Sequence, residues 1–526
     1  MSLVMINYFP ERVKKGAAYK MTSNEKRNDM ENFRENVLNF INDFMEYNET
    51  IPKGKIANPM PKEKLEKIDH MDIPQKERKL EDVVREMCED ILPYGNHSSH
   101  PRFFGFVPGT TSPLSWLGDI ITTAYNRHAG SVANQPGIWR MEQDLIRWLN
   151  DQTGFPETAG GIFVSGGSMA NLTALIAARD NRLSEEELSS GVAYVSDQTH
   201  SSVDKALKII GISHQRIRLI PTDCRFRMDT AALRSAIKKD LENGLKPFLV
   251  IATAGTTNTG SVDPFLPIRK ICDQYHMWMH IDGSFGASVL LSEKYKHQLS
   301  GIETADSLSW DAHKWLFQTY GCAVVLVRDQ KTLLNSFSVH PEYLKDFEKD
   351  DTLINPWDLG IELTRPARCI KLWLTLQVMG KEKVSDDITH GIEGAKYAEN
   401  IIRKDPAIEI ISPAQFAVIN FRYSPDGLSE AEKNELNSRI SEKILEDGYA
   451  GVFTTELNGK KVLRMCILNP ATTNDDIRET LQLLDHYYAE LMEAPERKSH
   501  IAWRQSLSAM TWHSFLQQAI PYLRMV

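Results

Sequence analysis

No run of about 18 consecutive apolar residues occurs in the chain, which excludes a membrane-spanning helix. The opening MSLVMINYFPERVKKGAAYK also lacks the apolar stretch and small-residue cleavage site of a secretory signal, so a cytoplasmic protein is expected. An excess of basic residues is missing too. Lysine and arginine total 61 against 70 aspartates and glutamates, a formal net charge of -9 with a pI near 6.0, which argues against a nucleic-acid partner because phosphate backbones are held by basic faces. Cysteine is scarce: the six (Cys88, Cys224, Cys272, Cys322, Cys369 and Cys466) form no CxxC pair, and no His/Cys cluster has zinc-ligand spacing. They read as reduced thiols, most of them buried, and no metal is expected. Internal repeats and low-complexity linkers are absent as well.

What remains is ordinary globular composition, 42% hydrophobic and 25% charged over 526 residues, enough for two or three domains and a large core. The expected partner is a small molecule. FRENVLNFINDFMEY (33–47) and LEDVVREMCEDIL (80–92) carry apolar residues at helical spacing and so need a partner surface. From residue 101 the texture changes. GVAYV (191–195), PFLVIATAG (247–255), MWMHIDG (277–283), DSLSWD (306–311) and GCAVVLV (321–327) read as strands, with amphipathic helices such as DTAALRSAIKKDLENG (229–244) between them. That alternation predicts a mainly parallel sheet with helices on both faces. After residue 375 a second α/β region has AQFAVINFRY (414–423) and KVLRMCIL (461–468) as strands. The last segment carries a loose apolar stripe through Trp503, Leu507, Met510 and Phe515, a docked helix or a frayed tail, with a membrane-surface helix as the weaker alternative.

Open α/β sheets bind ligands at the carboxyl ends of their strands. There the chain places SGGSMANLTAL after 161–164, SDQTHSS after 191–195, AGTTNTGS after 247–253, DGSFG after 277–281 and DAHK after 306–310. Singly, each has a plain structural reading: Gly166 and Gly167 as a strand-to-helix turn, His200 as a capped loop histidine, Asp282 as a turn residue, Lys314 as a surface lysine. Five polar groups on one rim shift that balance. An ammonium at the end of a buried strand is costly to desolvate, so Lys314 is either paired or chemically used.

Pyridoxal phosphate chemistry asks for this set. The cofactor needs a lysine amine to condense with its aldehyde and a carboxylate to keep its pyridine nitrogen protonated. Its phosphate needs a glycine-permitted turn at a helix start with free N–H groups and a hydroxyl. An imidazole can lie flat on the ring. Lys314, Asp282, the Gly167–Ser168 turn and His200 fill these four roles.

The motifs HPRFFGFVPG, NRHAGSVANQPGIWRMEQDLIRWL, GIFVSGGSMANLTAL, SDQTHSSVDKALKIIGI, TAGTTNTGSVDP, MHIDGSFGAS and SWDAHKWL together resemble the successive blocks of the group II pyridoxal-phosphate amino-acid decarboxylases, over about residues 80–490. Within that family the chain most resembles bacterial aromatic amino-acid decarboxylases that act on tryptophan. The resemblance implies a fold type I α/β enzyme with a mainly parallel seven-stranded sheet, working as a homodimer with shared active sites. It divides the chain into an N-terminal helical clasp (1–100), a large cofactor domain (101–375), a small C-terminal α/β domain (376–492) and a tail of unknown role (493–526). Carried over residue by residue, it gives Lys314 the cofactor's aldehyde, Asp282 its ring nitrogen and His200 the stack. It gives Gly167, Ser168 and His313 the phosphate, Thr257 the ring substituents, and Thr364 the phosphate of the other subunit. Phe106 and Val107, with His128 and Trp357, become the substrate pocket, where an aromatic or apolar wall suits an indole or phenyl ring. Core packing is the plain alternative for Phe106.

The implied reaction is loss of carbon dioxide from an aromatic L-amino acid, tryptophan favoured and phenylalanine or tyrosine next. Histidine and glutamate remain alternatives, the latter needing a cationic clamp for which Arg102 is the nearest candidate, and an aminotransferase is a weaker one. The chain departs from the family at one point. Many members carry on a partner-subunit loop a tyrosine that protonates the substrate's α-carbon, and LKDFEKDDTLINPWDLG (344–360) has none. Without it, oxygen can divert the reaction to aldehyde, ammonia and peroxide. Amine is still the expected product, with Tyr343 or His200 supplying the proton.

Overall fold

The computed structural model describes residues 24–69, 71–107, 110–339 and 353–493. Tyr343, most of the 344–360 loop and the tail beyond Glu493 lie outside the described residues. The chain divides into two compact units between His97 and Ser98, a few residues before the expected 100/101 boundary.

The first unit is helical, with one short antiparallel pair of β1 (Ala57–Asn58) and β2 (Gly95–Asn96). Its long helix Asn24–Thr50 spans the expected 33–47 segment and leaves Met30, Phe33, Leu38 and Met45 exposed on this chain. The 80–92 segment is not one regular α-helix. Leu80–Arg85 passes into a π-helical stretch, Glu86–Ile91, whose wider turn breaks the 3.6-residue period.

The second unit is built on a seven-stranded sheet of β3 (Gly160–Val164), β4 (Gly191–Ser196), β5 (Ile217–Ile220), β6 (Lys246–Thr253), β7 (Trp278–Asp282), β8 (Ser307–Asp311) and β9 (Ala323–Val327), in the order β3-β9-β8-β7-β6-β4-β5. Only β9 runs against the others. The link from β8 to β9 is too short for a crossover, so the chain must return antiparallel. β5, half-exposed at the sheet edge, has no apolar run to announce it.

β7 and β8 are buried along their whole length, yet they are not wholly apolar. His280 and Asp282 alternate with Met279 and Ile281, and Ser307, Ser309 and Asp311 alternate with Leu308 and Trp310. Side chains two apart share a face, and the register pairs His280 with Ser307 and Asp282 with Ser309. One face of the sheet centre is therefore a buried polar stripe. The helix Gly167–Arg182 packs across it.

A second antiparallel sheet, β10 (Ile408–Gln415), β11 (Val418–Tyr423), β12 (Phe453–Leu457) and β13 (Lys460–Cys466), has the order β10-β11-β13-β12. The expected single strand 414–423 is thus the turn and second arm of a hairpin. Its turn holds Phe416 at φ 50 with no Gly, Asn or Pro to signal it. Phe416 is buried against Phe285 and Trp315, and that packing holds the strained backbone. The helix Cys369–Ile402 runs through the expected 375/376 domain boundary and breaks at Gly380 (φ 73), so the change of region falls inside one helix.

Candidate active site

At the carboxyl end of β8, Asp311 binds in two directions. Its Oδ1 accepts the His313 N–H at 3.1 Å, starting the short helix Ala312–Trp315, and its Oδ2 accepts the Gly167 N–H at 2.7 Å. The Gly167 amide is therefore committed and not free for an anion. Glycine is needed there for room, because a Cβ would stand 2.7 Å from Ser284 Oγ and 3.0 Å from Asp311 Oδ2. Ser168, next in the turn, is exposed. His313 Nδ1 lies 2.9 Å from Asp311 Oδ1 but outside hydrogen-bond geometry, and is a buried nitrogen without a bonded partner.

Lys314 projects from that same helix, half-buried, with no hydrogen bond or ion pair among the described residues. No described side chain holds it in place. Its charge is felt by two neighbours. Burial opposes ionisation of Asp282, but the Lys314 ammonium and the Ser284 hydrogen bond outweigh it and hold the carboxyl at about 2. Asp282 Oδ1 accepts the Ser284 N–H and the Ser309 hydroxyl, each at 3.1 Å, and Oδ2 accepts Asn171 Nδ2–H at 3.0 Å. Burial, aided by the Lys314 charge, lowers the His200 pKa, and so this imidazole is neutral at physiological pH. His200 caps the helix Ser201–Ile209, its Nδ1 accepting the Ser202 N–H at 3.2 Å and pairing with the Ser202 hydroxyl at 2.8 Å.

Other expected residues fall in different settings. Arg464 of β13 donates from Nη1 to the Thr257 carbonyl (3.1 Å) and from Nη2 to the Gly105 carbonyl (2.7 Å), tying the Thr257 loop to the segment that carries Phe106. Phe106 is half-buried and stacks on Phe453 at 5.3 Å, with Phe103 at 5.5 Å. Val107, 3% exposed, packs in the main apolar core. His128 and Trp357 lie ring to ring at 6.1 Å. Trp357 is buried, its backbone N–H donating to Gly130 O, and its Nε1 has no partner among the described residues. Thr364 is exposed beside Arg365, whose guanidinium is fully buried in a pair with Glu142. Arg102 is spent: Nε donates to the Tyr449 carbonyl at 2.9 Å, Nη1 reaches Asp476 at 3.4 Å, and the guanidinium lies over the Tyr449 ring.

Residues 61–424 match the family described as the pyridoxal-dependent decarboxylase conserved domain. The chain belongs to the pyridoxal-dependent decarboxylases. It is 40% identical to the aromatic-L-amino-acid decarboxylase of Bacillus atrophaeus over 411 residues, 78% of this chain and 85% of that one. It is 30% identical to the phenylacetaldehyde synthase of Arabidopsis thaliana over 476 residues, 88% and 97% of the two chains. Among solved structures it resembles Oryza sativa TDC with PLP and tryptamine, with a TM-score of 0.82 at 28% identity, covering 88% of this chain and 98% of that one.

Pyridoxal phosphate is the cofactor of this decarboxylase, and the side chains present fit it. An unpartnered lysine can take an aldehyde, a buried ionised carboxylate can hold a ring-nitrogen proton, and a neutral imidazole can lie against the ring. An exposed serine at a helix start and the unbonded His313 nitrogen suit a phosphate. Among the described residues no His/Cys/Asp/Glu cluster suits a metal ion and no helix is long and apolar enough to cross a membrane.

Sequence reasoning reached the strand ends of this decarboxylase and missed what lies below them. Asn171, His280, Ser307 and Ser309 are all at most 1% exposed. The available signal was period-two polarity inside MHID and SLSWD, together with an asparagine one turn beyond Gly167 on the same helix face.

Burial pushes the His280 imidazole down from 6.5 to about 4, against the pull of the Asp282 charge. The unfolded chain takes up that proton near pH 6.5 and the folded chain only near pH 4, so the unfolded state binds more protons between the two. The contribution is fully present above pH 6.5 and is lost as pH falls through 4, roughly 3 kcal/mol in all. Denaturant unfolding of the apoprotein from pH 7.5 to 4 is expected to show this loss in the parent and a flatter profile in His280→Gln. Parallel profiles would refute it.

Proposed function

We propose that this decarboxylase converts aromatic L-amino acids, tryptophan foremost, to the corresponding amine and carbon dioxide. The observation that carries the proposal is the Phe103, Phe106 and Phe453 cluster, with its Phe106 segment and the Thr257 loop held on the single Arg464 guanidinium. Ring stacking of this kind adds about 0.5–1.5 kcal/mol beyond area burial and favours an indole or phenyl side chain. Glutamate loses its candidate clamp because Arg102 is engaged elsewhere. The aromatic-L-amino-acid decarboxylase among the relatives and the neighbour solved with tryptamine support this reading.

When bound, pyridoxal phosphate supplies an electron-withdrawing ring that takes up the electron pair left as carbon dioxide departs. Lys314 would hold its aldehyde, Asp282 would keep its ring nitrogen protonated, and His200 would cover one face. Ser168 and His313 hold its phosphate, and Thr257 flanks its ring substituents. Thr364 reaches the phosphate of a second copy, and the exposed apolar residues of the helix Asn24–Thr50 clasp that copy as a homodimer. Trp357, with His128, walls the substrate ring. Tyr343 or, through water, His200 supplies the α-carbon proton.

A panel of tryptophan, phenylalanine, tyrosine, histidine and glutamate tests the substrate. Tryptophan should lead, with histidine and glutamate at least about tenfold lower in kcat/KM. The phenylacetaldehyde synthase among the relatives gives weight to the oxygen-consuming reading, so the product must be tested as well. In air-saturated buffer, amine equal to the carbon dioxide released, with only minor peroxide, is expected. Stoichiometric aldehyde and peroxide would make the chain an aldehyde synthase.

A further inference from the structure

Below the rim, one hydrogen-bonded chain crosses the buried polar stripe, and the direction of every link follows from donor chemistry. Ionised Asp282 can only accept, so the Asn171 atom 3.0 Å from its Oδ2 is the amide nitrogen. Asn171 Oδ1 then faces His280 Nε2 at 3.0 Å, and an amide oxygen only accepts, so the proton of His280 is on Nε2. His280 Nδ1 must accept from the Ser307 hydroxyl at 2.8 Å, and Ser307 Oγ in turn accepts Trp278 Nε1–H at 2.8 Å. Toward the rim, Asn171 Nδ2 also donates to Ser202 Oγ at 3.3 Å. The Ser202 hydroxyl and N–H both point at His200 Nδ1, which leaves the proton of neutral His200 on Nε2.

We infer that His280 and Asn171 are positioning residues: His280 locks the Asn171 amide so that both its N–H bonds serve the site, one on Asp282 and one on the serine that orients His200. Neither residue touches the reacting atoms. Reversing the amide would set an oxygen against the Asp282 carboxylate and leave His280 Nε2–H facing a donor, each a buried mismatch. A hydrophobic residue at 280 removes that lock and leaves the Asn171 oxygen and the Ser307 hydroxyl without their partner. The inference rests on the reading of Asp282 as the group that holds the cofactor's ring nitrogen.

Titration of apoenzyme with pyridoxal phosphate, followed by the visible absorbance of the bound cofactor and its pH profile, provides the test. His280→Phe and Asn171→Asp are each expected to weaken cofactor binding at least about tenfold and to move the pH profile of the bound band. Asn171→Asp should move it further, since it sets one carboxylate against another. His280→Gln, which can still donate an N–H to Asn171, is expected to stay within about threefold of the parent. The inference fails if either of the first two, folded by circular dichroism, keeps the parent's affinity and pH profile, or if His280→Gln is as impaired as His280→Phe. If His280→Phe does not fold, Asn171→Asp decides. Saturable binding by the parent with a visible band that Lys314→Ala abolishes keeps the cofactor reading intact, whichever way the positioning variants behave.

Discussion

Lys314→Ala is expected to release carbon dioxide more than about a thousandfold more slowly than the parent, with the protein still folded. Lys314 has no hydrogen bond or ion pair among the described residues, so its removal breaks no such contact and empties no apolar core position. The adjoining Trp315, fully buried, stays as the packing residue of the turn. Stability should stay within about 1 kcal/mol of the parent, the range of substitutions that break no specific contact. What disappears is the amine that the proposed function assigns to the cofactor's aldehyde. Radiometric carbon dioxide release, run beside thermal unfolding, separates the two effects. Substantial turnover by purified Lys314→Ala would remove Lys314 from the chemistry.

Asp282→Asn should lower kcat at least about a hundredfold, with KM and cofactor retention much less affected. Asparagine matches aspartate in shape but has no charge, so nothing would hold a ring nitrogen protonated. The surroundings make the exchange worse. Three donors converge on the carboxylate, from Ser284, Ser309 and Asn171, and either orientation of a new amide turns an NH2 group toward at least one of them. The loss appears where charge develops, in the transition state, and therefore in kcat. Activity within a few-fold of the parent would make Asp282 a structural residue.

The rim of this site was readable because a polar residue directly after an apolar run is conspicuous, and strand ends are where α/β sheets bind ligands. SDQTHSS, DGSFG and DAHK announced His200, Asp282 and Lys314 in that way. The supporting layer was not readable with equal ease. His280 and Ser307 sit inside apolar runs, where a single polar residue reads as noise until the register sets the two side by side. The Phe416 turn was hidden for another reason: a positive φ at phenylalanine is imposed by partners distant in sequence, Phe285 and Trp315, and no local composition encodes it. Gly167 was recognised as necessary for its N–H groups. Asp311, far along the chain, had already taken that amide.

The position of β9 bears on how the protein comes into being on the ribosome. β3 is the first strand of the large sheet to be synthesised, and its one neighbour among the described residues is β9, the last. Domains emerge at about 5–20 residues per second, so GGIFV waits many seconds without a hydrogen-bonding edge to join. During that wait the Gly167 turn cannot meet Asp311, because β9 must first lie between β3 and β8. A nascent chain halted before residue 323 would hold Lys314 and His200 and still have no site, and it would offer chaperones an unpaired, apolar strand. Cofactor added during translation should therefore leave the yield of such a truncated chain unchanged, and protect only chains that have passed β9.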